Sequence, residues 1–187
     1  MFAASLPRAN FGPVKVQPST LNFIYMNNLL ATNPDAPNAT QVLRRFRVVF
    51  NAVRSHFQQV EKKVGLGGAQ VWALSVIRDQ PGIGMGVLAK SMDIHQSTAS
   101  NLVKVLVRKE LISMAKTPED RRNVQLRILP AGQALLAQVP GPFEGVLPEA
   151  LAQLNGQTLL RLDQDLSELI ALIKADEQAG GVPLAEL

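Results

Sequence analysis

The chain has 187 residues, two histidines, no cysteine and a formal charge of +4. That length allows one domain with a real core, or a small domain plus a dimerisation element. The lack of cysteine excludes disulfides, thiolate metal sites and thiol-based redox sensing, and suits a reducing cytoplasm, where we expect the protein to act. The charge is unevenly spread. Residues 1–77 carry eight basic against two acidic side chains, residues 78–127 nine against five, and residues 128–187 two against eight. The basic end should face a polyanion, a pattern of nucleic-acid binding.

Residues 1–37 contain Pro7, Pro13, Pro18, Pro34 and Pro37 and read as an irregular arm. Its apolar piece, residues 21–30, is expected to pack, either on a partner subunit or as a lid within its own chain. Nothing at the N-terminus reads as a signal peptide, and no run approaches eighteen apolar residues, so no membrane span is expected. From residue 39 to 64, Val42, Leu43, Phe46, Val49, Phe50, Val53, Phe57, Val60 and Val64 fall within about a 120° arc of a helical wheel, a broad core-facing stripe. Arg44, Arg47, Arg54, Lys62 and Lys63 lie off the stripe and read as a solvated face. Arg45 and His56 share one edge of it. Gly65 ends the helix. Residues 69–79 are apolar nearly all round and should be buried; Trp72 there either fills core or lines a small-molecule pocket. Gly82, Gly84 and Gly86 neither follow an evident strand nor lead into Gly-Lys-Ser/Thr, so they are not read as a nucleotide site.

Met85, Leu88, Ala89 and Met92 recur at i, i+3, i+4, i+7, the pattern of a short amphipathic helix. Asp93-Ile94-His95 breaks it. A second helix starts in Gln96-Ser97-Thr98, whose short polar side chains are expected to satisfy orphan backbone donors, and its apolar stripe is Leu102, Val105 and Leu106. The opposite face carries Gln96, Ser97, Thr98, Ser100, Asn101, Lys104 and Arg108, types that bond to bases and phosphates. Two such helices joined by a short turn form a helix-turn-helix, whose second helix enters the major groove. Residues 113–116 and 123–129 then read as a two-stranded ribbon, the second strand alternating polar with apolar. Its tip, Thr117-Pro118-Glu119-Asp120-Arg121-Arg122, is basic turn chemistry suited to a narrow minor groove.

These residues resemble the MarR family of winged helix-turn-helix transcriptional regulators. The specific part is Asp120-Arg121-Arg122 followed by Val124, Leu126 and Ile128 and then Leu129-Pro130-Ala131-Gly132, which is similar to that family's Asp-x-Arg wing and helix start. Residues 96–103 resemble its recognition helix. The likeness is strong over about fifty residues and extends more weakly over roughly residues 38–178. It implies that Arg122 enters the minor groove while Asp120 orients it. It also implies repression of nearby promoters, relieved by a small, often aromatic and anionic ligand bound between the dimer helices and the DNA-binding head. From their positions, Arg45, His56 and Trp72 are the candidate lining.

After the wing, residues 131–139 read as a helix ended by Pro140-Gly141-Pro142, and residues 143–154 resume the helical pattern with Pro148 near a helix start. Residues 156–174 carry a second stripe, Leu159, Leu162, Leu166, Leu169, Ile170 and Ile173, acidic outside, which is best buried against a copy of itself and the first helix. The expected fold is mainly α with a small β-wing. Residues 1–37 form the arm, 38–65 and 131–178 a helical dimerisation region, 66–130 the winged helix-turn-helix DNA-binding domain, and 179–187 a flexible tail. The expected function is a homodimeric regulator binding a pseudo-palindromic operator in double-stranded DNA, with a possible small-molecule effector. The alternatives are a winged-helix protein–protein interaction module and a constitutive DNA binder. With two histidines, no cysteine and no convergent carboxylates, no enzyme, metal or cofactor is expected.

Overall fold

The structure is a computed structural model that describes residues 37–116 and 124–186. The chain divides into two compact units, residues 1–46 and 47–187. The described part of the first is the opening of helix α1 (Ala39–Val64), exposed except for the half-buried Phe46. Asn38 and Gln41 start this helix by exchanging side-chain and backbone bonds of 2.9 and 3.0 Å, a reciprocal capping box. Gly65, at φ +67°, ends it with a glycine in the left-handed conformation.

In the second unit the chain continues through α2 (Gly68–Asp79), β1 (Ile83–Gly84), α3 (Met85–Ser91), α4 (Gln96–Arg108), β2 (Ile112–Lys116), β3 (Val124–Ile128), α5 (Pro130–Leu136), α6 (Val146–Ala152) and α7 (Gly156–Ile173), followed by two short 3-10 turns, Glu177–Gly181 and Leu184–Glu186. Leu74 and Ile77 of α2, Leu88 of α3, Leu106 of α4, Ile112 of β2 and Leu126 of β3 are fully buried around one core. The near-continuous apolar pattern of α2 thus reflects a helix surrounded by the head, with α3, α4, β3 and α5 against it.

The sheet has three strands in the order β1-β3-β2, where the sequence suggested two. Gly82, at φ +86°, turns the chain so that its N–H reaches the carbonyl of Leu126 at 2.8 Å and Ile83 pairs with Leu126. Two residues are too few to show alternation, so the strand leaves no periodic trace. β2 and β3 form the expected antiparallel hairpin, from Ile112 opposite Ile128 to Lys116 opposite Val124. Its tip, with Asp120, Arg121 and Arg122, lies outside the described residues, as do the arm of residues 1–36 and Leu187.

Further differences are local. No side chain caps α4: the N-cap is His95, and helix formation from Gln96 places Ser97 and Thr98 already inside the first turn. Residues 143–145 are not helical, because Gly145 takes φ +108° and α6 begins only at Val146. Residues 179–186, read from sequence as part of a flexible tail, fold onto the head. Pro183 is buried, Ala185 packs on the core, and the Gly181 carbonyl accepts the N–H of His95 at 3.1 Å. Short apolar stretches without helical period give no sign of such docking.

Both long stripes are only partly covered. In α1, Val53 and Val60 are buried while Val42, Leu43, Val49 and Phe50 are exposed. α7 buries no residue; Leu162, Leu166 and Ile170 are half-buried, whereas Ile173 is 64% exposed.

Candidate nucleic-acid interface

The helix-turn-helix is fixed by two backbone locks. After α3, Asp93 takes the left-handed conformation at φ 51°, and Ile94 N–H closes back on the Ala89 carbonyl at 3.0 Å. A short polar side chain tolerates that conformation better than a branched one. After α4, Glu110 does the same at φ 55°, and Leu111 N–H returns to the Leu106 carbonyl at 3.0 Å. Between the locks, Ala99, Leu102, Val103 and Leu106 are buried and hold α4 in the head.

The opposite face of α4 is left to solvent. Gln96, Ser97, Asn101, Lys104 and Arg108 are exposed, and Thr98 and Ser100 are half-buried. A shallow groove of about 730 Å³ runs beside α4 toward β2, lined by Ser100, Asn101, Lys104 and Arg108 together with Met85 and Met114. The two methionines were not singled out from sequence, where each fits an ordinary helix or strand pattern; only the juxtaposition of α3, α4 and β2 brings them there. Such a surface offers donors and acceptors for base edges, cations for phosphates and an apolar patch beside them. Arg78, by contrast, is engaged within the head. Arg78 bonds Asp79 at 2.7 and 3.1 Å and lies 5.2 Å from the centre of the Phe143 ring, and this pairing raises the Arg78 pKa and holds the Asp79 carboxyl below its ordinary range.

His56 and Trp72 do not line one cavity. Trp72 is half-buried and borders two clefts, of about 390 and 400 Å³. His56 lines neither; its Nε2 lies 3.1 Å from the Pro142 carbonyl and its ring meets Phe57 edge-on. Arg45 is exposed and belongs to the first compact unit. The larger share of the 390 Å³ lining comes from Phe57, the turn between α3 and α4, residues 144–148 and the C-terminal segment. No motif announces it, because these pieces meet only in the fold. Among the described residues, no three His, Cys, Asp or Glu side chains gather as a metal site, and no helix is long and apolar enough to cross a membrane.

Known proteins place this arrangement. Residues 64–123 match the model of the MarR family. The chain is 29% identical over 125 residues to a protein of Thauera aromatica named as the proposed transcriptional regulatory protein for the hcr operon, an alignment covering 67% of this chain and 64% of that protein. It is 26% identical over 140 residues to the HTH-type transcriptional repressor NicR of Pseudomonas putida, covering 75% of this chain and 87% of the relative. In fold it is similar to a MepR-like protein crystallised with pseudoligands, at TM-score 0.52 and 17% identity, over 74% of this chain and 97% of that one. The MepR protein of S. aureus in complex with DNA superposes at TM-score 0.51 and 19% identity, over 73% and 98% of the two chains. The helix-turn-helix and the polar, basic face of α4 thus lie within the stretch, residues 64–123, that matches the MarR family, and this part of the chain is similar to a MarR-family winged helix-turn-helix.

Proposed function

We propose that the protein is a homodimeric, sequence-specific repressor that acts in the cytoplasm and leaves its operator when a small molecule binds. The observation that carries this reading is the exposed face of α4. Gln96, Ser97, Thr98, Ser100 and Asn101 lie nearest base edges or phosphates, and Lys104 and Arg108 hold phosphates. At the wing tip, Arg121 and Arg122 serve the minor groove and Asp120 orients Arg122, as the family resemblance implies. The polar and basic character of the α4 face favours DNA over a protein partner, whose docking would ask for an apolar surface.

Residues 66–130 are then the DNA-binding domain, and 38–65 with 131–178 the dimerisation region. The exposed Val42, Leu43 and Val49 of α1 and Leu169, Leu172 and Ile173 of α7 support this division, since exposed apolar surface of that kind marks an interface. Two recognition helices about 34 Å apart read half-sites one turn of DNA apart, which makes the operator pseudo-palindromic. Similarity to a relative named as a repressor supports the sign of regulation. The effector acts by population shift: it must bind the arrangement of heads that does not fit DNA more tightly than the one that does.

The test is binding of the full chain to its own upstream DNA and to random DNA across a salt series, with its mass measured in solution. Dimeric binding, tighter on the upstream DNA and falling steeply with salt, is expected. A monomer, or no binding to either DNA, would overturn the proposal.

A further inference from the structure

The Trp72 cleft has a chemistry of its own. Its walls are apolar and aromatic, with Trp72, Phe57, Ile94 and Leu147, and its volume of about 390 Å³ suits a molecule of one or two rings. The charged side chains among its described lining are Asp93 and Glu144, both acidic and both exposed at its rim. Among the described lining an anion meets two carboxylates and no basic side chain, whereas a cation meets those carboxylates beside two aromatic side chains.

One wall of this cleft is the C-terminal segment, residues 182–185. The same segment is tied to the first turn of α4. Gly181 accepts the N–H of His95, the Gln178 carbonyl lies 3.0 Å from His95 Nε2, and the His95 carbonyl in turn accepts the N–H of Ala99 at 3.1 Å. A Cβ on Gly181 would stand 2.6 Å from His95 Nε2, so a side chain there obliges the His95 ring to move. A molecule filling the cleft presses on the segment that holds the N-cap of the recognition helix.

We propose that the cleft beside Trp72 takes a small apolar cation, and that residues 177–186 carry its presence to the first turn of α4. This rests on the reading of the protein as a ligand-released DNA binder.

Trp72 is the single tryptophan of the chain, so its emission reports the cleft directly. The full-length protein is titrated with benzylammonium and with phenylacetate, similar in size and opposite in charge, with excitation where neither absorbs. Benzylammonium should bind about fivefold more tightly at low salt, the scale of a partly exposed ion pair. Asp93→Asn with Glu144→Gln should abolish that preference, and asparagine tolerates the left-handed conformation at position 93. A preference for phenylacetate, equal binding, no response to either probe, or a preference surviving in the folded double variant overturns the ligand class.

The coupling is read separately, by operator binding. Benzylammonium should weaken it in the wild type, and Gly181→Val should keep the fluorescence response while losing that effect. Release that persists in Gly181→Val overturns the route through the C-terminal segment. Cleft binding in the wild type with no change in DNA affinity overturns the effector reading and the coupling together, while the charge preference stands on its own result.

Discussion

Gly132 offers a sharp test of how the wing is locked to the helix that follows it. Gly132 lies in the first turn of α5 and is buried; a Cβ there would run into the Leu111 carbonyl oxygen, with Ile128 Cγ1 at 2.9 Å and Leu74 Cδ1 at 3.2 Å. The Leu111 carbonyl is a fixed partner, accepting the Leu129 N–H at 2.9 Å. In Gly132→Ala, the reduced freedom of the unfolded chain contributes about 0.4–1 kcal/mol of stability. Overpacking against backbone costs about 1–3 kcal/mol. If α5 shifts to relieve the clash, the Leu111–Leu129 bond weakens, at about 1 kcal/mol. The net expectation is a loss of about 1–3 kcal/mol, or roughly 2–10 °C in Tm for a chain of this size. Gly86 is the control: it sits in α3 with nothing within 4 Å of a Cβ, so Gly86→Ala should be neutral or stabilising by up to about 1 kcal/mol. Both are read by urea unfolding followed by circular dichroism at one protein concentration, since a dimer's stability depends on it. Gly132→Ala at or above wild-type stability would refute the contact.

The interface makes separable predictions. Lys104→Ala and Arg108→Ala should each weaken binding to all DNA and lower the salt slope by about one, measured by fluorescence anisotropy; an unchanged slope counts against a phosphate contact. Asn101→Ala should instead reduce discrimination between operator and single-base variants by about 1–3 kcal/mol with the slope unchanged, and loss of affinity for all sequences alike would remove it from base reading. Arg122→Ala should weaken operator binding while the dimer stays folded; equal affinity at matched salt would sink the wing assignment. Leu169→Asp with Ile173→Asp should lower the solution mass to that of a monomer, and a persisting dimer would move the interface away from α7.

The helices were legible where their periodicity was long. The stripe from Val42 to Val64 predicted α1 to its end residues, because three turns or more of apolar spacing leave few other folds. The recognition helix was legible from two signals that agree, buried Leu102 and Leu106 on one side and Gln96, Asn101 and Lys104 on the other. The Asp-x-Arg wing carried the family. The candidate ligand residues were less legible, since Arg45, His56 and Trp72 were chosen by position along helices, and a cleft depends on which loops cross it.

The sequence by itself determined the local choices: where helices run, which of their faces is apolar, and that the α4 face is polar and basic. Those follow from interactions within a few residues, which spacing records. Only the tertiary structure decided that Ile83-Gly84 adds a third strand to the wing, that Gly132 must be small against the Leu111 carbonyl, and that Gly181 reaches across to His95. Each of these joins residues from twenty-one to eighty-six positions apart, through single backbone groups rather than repeated side chains, so no periodic pattern in the chain could carry it.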